Sequence, residues 1–351
     1  MNIGIFISRL SKTGPVNVIY NLIHETADIS IKYIIFTLRP ELVNNTRIKD
    51  FSELNIMVKC LYDRNIINIY KNIREELGSC NIDIIHAHCF RSLVFCSFFK
   101  IKKIFTVHQN FYYDWQLNYG FIGKLMVLVE NKMLPYWNII ICCAKYLEPI
   151  IKNRIKNDNI YHIINGVLPL VVSNKKTSKH KTVTYIYVGS IDKRKNVKLL
   201  CEQFSHNALG NEKLICVGTG SDFPAIQKMN YPNIKLLGFK DNISEFLCQS
   251  DYFISMSFSE GLPLAVIEAL SCGLPVILSD IPAHRDFFTL NNKIGVLIAD
   301  NFNEALKRIR SNNYEEMSTQ VYNTYFQYLT AKKMAEEYIE HYKSLKNKTS
   351  C

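Results

Sequence analysis

Two carboxylates stand out for their setting. In Ser257-Phe258-Ser259-Glu260-Gly261-Leu262-Pro263-Leu264-Ala265-Val266-Ile267-Glu268, Glu260 precedes a helical pattern and Glu268 lies inside it, with seven residues between them. A helix built of Leu, Ala, Val and Ile has no structural need for Glu268. A carboxylate buried there requires a hydroxyl or a cation to bind. Gly261 permits close approach of a ligand to the backbone, and the amides at a helix start can hold phosphate oxygens. A second feature is Gly189-Ser190-Ile191-Asp192-Lys193-Arg194-Lys195-Asn196, with three consecutive cations between a strand and a helix. A charge run is usually a solvated face. At the end of a strand it equally fits neutralisation of a phosphate, so Arg194 and Lys195 are candidate anion ligands.

Other strand ends carry further candidates. Gly14-Pro15 opens a helix after the first strand, and this reads either as an anion-accepting helix start or as a plain turn. Val217-Gly218-Thr219-Gly220 follows a later strand but lacks the third glycine of a dinucleotide fingerprint, and no Walker loop occurs. His108 begins where an apolar strand stops, which favours a functional role. His86 and His88, two apart on one strand, are expected to point to one face beyond its end. No nearby carboxylate completes a metal triad with them, so no metal is expected.

The elements that must position these residues are legible as alternating patterns. Apolar runs of strand length occur at Ile3–Ser8, Tyr33–Leu38, Asn55–Lys59, Ile82–His86, Lys103–Val107, Asn138–Cys142 and Tyr161–Ile164. Amphipathic stretches separate them, including Val16–Ala27, Ile66–Leu77, Arg91–Phe99, Phe121–Leu134 and Tyr146–Lys156. This alternation predicts a parallel, doubly wound sheet. Val171 to Lys181 is polar, basic and aperiodic, as a linker would be. The alternation restarts with strands at Val183–Val188, Leu214–Val217, Ile234–Leu237, Tyr252–Met256, Pro275–Leu278 and Ile294–Ile298, and a polar helical tail runs from Glu315 to Lys348. The expected organisation is an α/β chain with domains at 1–170 and 171–330, and a C-terminal helix at 331–351 crossing back to the first domain. Ligands of open parallel sheets bind beyond the carboxyl ends of the strands. Two such edges facing each other would make a cleft the site.

Composition bounds the alternatives. With 351 residues, 48% of them hydrophobic, the chain is long enough for two cores and too apolar for bulk disorder. No apolar run reaches the length of a membrane-spanning helix, and Met1 to Ile7 reads as a strand rather than a signal peptide. The 11 cysteines include no Cys-x-x-Cys pair, which points to a reducing cytoplasm. The net charge of +11, larger in the first half, suits nucleic acid, an anionic membrane or a phosphorylated small molecule. Cations gathered at a strand end do not make the continuous face that nucleic acid needs.

Glu260 and Glu268 within Ser-Glu-Gly-Leu-Pro…Glu-Ala-Leu…Gly-Leu-Pro-Val resemble the signature of retaining GT-B glycosyltransferases of family 4 (group 1), in register from Gly238-Phe239 to about Asp286. Gly14-Pro15, His108, Asn165-Gly166-Val167, Gly189…Lys195-Asn196 and Gly218-Thr219-Gly220 agree, and only residues 40 to 80 match weakly. The resemblance implies two facing Rossmann-like domains with an interdomain cleft. It implies a retaining sugar transferase using a nucleotide-diphosphate sugar and neither cofactor nor metal, and no Asp-x-Asp is present. It places His108, Glu260, Arg194 and Lys195 at the reaction centre. Gly14, Gly189, Gly218, Phe239, Gly261, Leu262 and Glu268 complete the donor side, with Glu268 on the ribose hydroxyls. Ser190 replaces the family's usual Arg, a role that falls to Arg194. His86, His88 and Tyr112 are the acceptor-side candidates. The expected acceptor is a glycan or an undecaprenyl-diphosphate-linked glycan of bacterial surface polysaccharide assembly. The expected location is cytoplasmic, peripheral on the inner face of the membrane, with contact to anionic lipid and none to nucleic acid. The alternatives are a GT-B epimerase or phosphorylase, or a non-catalytic sugar-nucleotide-binding partner.

Overall fold

The computed structural model describes residues 1–26, 30–41, 46–170, 182–299 and 301–347, with the side chains of 116–119 excepted. The expected linker at 171–181 lies outside the described residues. The chain divides into two compact units, one comprising Met1–Gly166 with Ala331–Cys351, the other Val167–Thr330.

In the first unit β1 (Asn2–Ile7), α1 (Gly14–Glu25), β2 (Lys32–Thr37), α2 (Ile48–Glu53), β3 (Met57–Cys60), α3 (Ile66–Ser79), β4 (Ile84–His88), α4 (Phe90–Cys96), β5 (Lys102–Val107), α5 (Phe111–Met133), β6 (Ile139–Cys142), α6 (Leu147–Lys152) and β7 (Ile160–His162) alternate along the chain. The seven strands form one sheet in the order β3-β2-β1-β4-β5-β6-β7, and every pairing is parallel. The strand order reverses between β1 and β4, the switch point where such sheets open a crevice. β-branched strands are buried on both faces, as in Ile3, Ile5, Ile84, Ile85, Ile104, Ile140 and Ile141, so they read as continuous apolar runs.

The second unit continues with β8 (Val183–Val188), α7 (Val197–Asn207), β9 (Glu212–Val217), α8 (Phe223–Met229), β10 (Ile234–Leu236), α9 (Ile243–Cys248), β11 (Tyr252–Ser255), α10 (Leu264–Ser271), β12 (Val276–Ser279), α11 (Pro282–Leu290), β13 (Gly295–Ile298), α12 (Phe302–Ser311) and α13 (Tyr314–Tyr328). Its parallel sheet runs β10-β9-β8-β11-β12-β13, with the switch point between β8 and β11. A core of Tyr185, Tyr187, Leu200, Phe204, Leu214 and Leu306 packs α7 and α12 on this sheet. Gly273, at φ 77°, ends α10 and turns the chain into β12.

Three elements differ from expectation. α2 is too short to show a helical period. α5 starts ten residues before the expected Phe121, because the Asn110 side chain accepts the Tyr113 amide and caps it. Its two halves are joined across Gly120, at φ 53° and ψ −122°. The tail is two helices: α13 stays with the second unit, and α14 (Ala331–Asn347) belongs to the first, packed on α1. The break falls where Leu329 accepts the Val167 amide and Thr330 bridges Val167.

Candidate functional site

In the second unit the site residues gather at the switch point. The turns after β8 and β9 interlock. The Gly189 amide donates to Val217 O, and a Cβ on Gly218 (φ 139°) would lie 1.8 Å from Gly189 O. Gly189 and Gly218 thus have a backbone-packing reason to be glycine, independent of any donor. Beyond Gly189, Asp192 accepts the Lys195 amide (3.0 Å) and the Ser190 hydroxyl (2.7 Å). Asn196, in the left-handed region at φ 55°, then starts α7. This tight turn directs Arg194 and Lys195 across to the loop that follows β11.

There they meet Glu260. Lys195 Nζ lies 2.5 Å from one carboxylate oxygen, Arg194 Nη1 lies 3.3 Å from the other, and Arg194 also donates to Ser259 O at 2.8 Å. Ser257 Oγ donates to Glu260 Oε1 at 2.8 Å. Glu260 is only 6% exposed, and burial alone would raise its pKa. The adjacent charges of Lys195 and Arg194 outweigh that, and the carboxyl is held down at about 2. The cations expected to be free for a phosphate are thus already shared with a carboxylate. Arg194 and Lys195 thus share this one buried carboxylate.

The network extends to residues that sequence reasoning missed. Ser279 Oγ donates to Ser257 O at 2.6 Å, and His284 Nδ1 lies 2.8 Å from Ser279 O. His284 is fully buried, and burial lowers its pKa to about 4 against the opposing pull of Glu260, so it is neutral at physiological pH. The one available signal was a His two positions after the Pro that opens α11. A cavity of 450 Å³ lined in part by Asn196, Gln203, Ser257, Ser279 and Asn301 adjoins this network but includes neither Glu260 nor Glu268.

α10 opens at Leu264 behind Pro263 with no side-chain cap, so its first amides and the positive end of its dipole are available to an anion. Gly261 and Leu262 are buried just before it, and Glu268 is half-buried on its surface. Phe239 follows β10 and is 52% exposed.

In the first unit Gly14 is exposed at the uncapped start of α1, with open space where a Cβ would stand. His108 follows β5, and its Nε2 lies 2.7 Å from His88 Nδ1. Burial lowers both imidazoles, His108 to about 3, so the pair is neutral at physiological pH. His86 does not project beyond the strand as expected. It is fully buried in β4, with Nδ1 2.6 Å from Tyr342 Oη on α14 and Nε2 2.8 Å from Thr106 Oγ1. Both ring nitrogens are satisfied inside the core, which removes His86 from the acceptor side. His88 is equally buried, with His108 against its Nδ1. Tyr112 is 55% exposed on α5, with the Arg154 guanidinium 5.8 Å from its ring. Among the described residues no three His, Cys, Asp or Glu side chains converge as metal ligands.

Residues 13–169 match the profile of Glycosyltransferase Family 4, and residues 172–327 that of Glycosyl transferases group 1. The chain belongs to this glycosyltransferase family. It is an enzyme of the sugar-transferring class, with the GT-B fold. The O-antigen biosynthesis glycosyltransferase WclY of Escherichia coli is 26% identical, over 98% of this chain and 99% of its own. The E. coli UDP-Gal:alpha-D-GlcNAc-diphosphoundecaprenol alpha-1,3-galactosyltransferase is 32% identical over 37% of each chain. Among solved structures, Anabaena HepE in complex with UDP and glucose superposes with a TM-score of 0.78 at 13% identity, over 98% of this chain and 100% of its own.

Proposed function

We propose that this glycosyltransferase moves a sugar, with retention and without a metal, from a nucleotide-diphosphate sugar to an undecaprenyl-diphosphate-linked glycan. The observation that carries the donor half is the Arg194–Lys195–Glu260 cluster beside the uncapped start of α10. Breaking the anomeric C–O bond leaves negative charge on the departing diphosphate, and fixed cations and helix amides lower that barrier. Glu268 takes the ribose hydroxyls, and Phe239 offers an exposed ring near the base. His108 serves the transferred sugar as a neutral hydrogen-bonding group.

The acceptor half draws on the diphosphoundecaprenol-linked substrate for which the E. coli galactosyltransferase relative is named and on α5. Phe121, Ile122, Leu125 and Leu128 of α5 are 75, 63, 48 and 57% exposed. Lys124 and Lys132 are exposed among them, while both α5 acids, Asp114 and Glu130, are buried. An exposed apolar row with only positive charge suits the interface of an anionic bilayer. No described helix is long and apolar enough to cross a membrane. The donor reading is tested by thermal unfolding with a panel of nucleoside diphosphates and nucleotide sugars, where a bound donor raises the midpoint by mass action. A panel without effect refutes it. Turnover that survives exhaustive chelation supports the metal-free reading, and turnover abolished by it refutes that reading.

A further inference from the structure

The switch point of the first sheet, between β1 and β4, carries a cationic cluster that the donor chemistry does not use. Arg9 lies two residues beyond β1, Arg39 two beyond β2, and Arg91 three beyond β4, on three neighbouring strands. Ser8 Oγ lies 3.1 Å from Cys89 Sγ, which ties the two strand ends together. Cys89 enters α4 at φ 74° and ψ 158°, a conformation that favours glycine and that non-glycine residues keep only where their surroundings enforce it. Such strain gathers at functional sites.

The Nε atoms of Arg9 and Arg91 are both buried without a hydrogen-bond partner among the described residues. A guanidinium N–H out of water and unpaired is costly, and each such group in a native protein needs a reason. Burial first, and the charge of Arg39 second, hold the Arg91 guanidinium below its ordinary value. The carboxylate nearby, Glu41, is occupied: both its oxygens accept the Leu10 amide, at 3.0 and 2.9 Å. Its charge reaches Arg9, while Arg91 feels the like charge of Arg39. N–H forks gathered at these strand ends match a tetrahedral oxyanion, and Arg supplies such forks where Lys would supply only a point charge.

We infer that Arg9, Arg39 and Arg91 form a phosphoryl-binding site of the first unit, and that its ligand is the diphosphate of the lipid-linked acceptor. The site itself stands on the geometry above. The identity of its ligand rests on the proposed function.

The test uses the full chain with arginine Nε labelled by ¹⁵N, saturated with UDP so that the donor cations are filled. The Nε–H signals of Arg9 and Arg91 are assigned with Arg9→Gln and Arg91→Gln, then followed through titrations with inorganic pyrophosphate and farnesyl diphosphate. Both signals are expected to move in the unsubstituted protein, with either substitution weakening pyrophosphate by ~10-fold or more. Signals that stay still overturn the site, and signals that move on adding UDP alone assign it to the donor and overturn the inference. Farnesyl diphosphate binding ~10-fold tighter than pyrophosphate supports a lipid-linked source, and equal affinity overturns that source. Absence of UDP binding defeats the proposed function instead, while the pyrophosphate titration still reads this site. Because the reading is made on the unsubstituted protein, a variant that fails to fold does not decide it.

Discussion

Replacing Glu260 by Gln removes one negative charge from a pocket where the carboxylate is 6% exposed and Lys195 and Arg194 are 15% and 26% exposed. The carboxyl is lowered from 4.5 to about 2 in the folded protein. At about 1.4 kcal/mol per tenfold change in proton affinity, this corresponds to about 3 kcal/mol of stability at neutral pH. It agrees with the usual cost of stranding one partner of a buried ion pair, about 3–5 kcal/mol. Because the folded pKa lies below the unfolded one, the contribution is complete above about pH 5 and fades as the pH falls toward 2, with about 1.5 kcal/mol left near pH 3. Urea unfolding of both proteins near pH 7, 5 and 3 checks this. The variant is expected to be less stable by the full amount at the two higher values and by about half near pH 3. Equal stability at neutral pH, or a gap that stays constant down to pH 3, refutes the assignment of Glu260 as an ion-paired carboxylate.

Five further outcomes are expected. Lys195→Ala lowers kcat by at least ~100-fold if the ammonium meets the leaving diphosphate, as steady-state kinetics with the donor found in the panel will read. Glu268→Gln weakens UDP by ~10-fold in calorimetric titration and leaves 2′,3′-dideoxy-UDP unaffected, because the lost partner is the ribose diol. Gly218→Ala drives a methyl into Gly189 O and costs about 1–3 kcal/mol or more in urea unfolding. Gly14→Ala, with open space around it, keeps the fold and raises the donor KM. Leu125→Glu with Leu128→Glu abolishes co-sedimentation with vesicles containing anionic lipid, whereas a double variant that still binds at low salt removes α5 from the membrane contact.

The strands of both sheets were legible because β-branched residues buried on two faces leave unbroken apolar runs, as Ile139-Ile140-Ile141 shows. Ends shifted by a residue or two, most at β4, where His86 to His88 continue the strand past its last isoleucine. Local pattern also located Arg194, Lys195 and Glu260, since each sits beside a strand end. It could not show that the cations pair with a carboxylate 65 residues away. The same limit explains His86. Alternation along β4 established which face it takes, but the tyrosine that accommodates it there stands 256 residues further on. The Gly120 interruption of α5 and the arginines of the first switch point also depend on neighbours brought in by topology, which no window of adjacent residues contains.

The place of α14 carries a consequence for the order in which the protein is made. During synthesis residues 1–166 leave the ribosome first, yet their unit lacks the helix that buries Tyr338 and Tyr342 against His86 and Thr106. The segment 167–330 has its whole sheet and all its helices by the time Thr330 emerges. The second unit is therefore expected to reach its native state while the first waits with an open apolar face, the reverse of the order in which a nascent chain usually matures. A ribosome stalled just after Thr330 has emerged would hold a protease-resistant second unit and a first unit that is still cleaved.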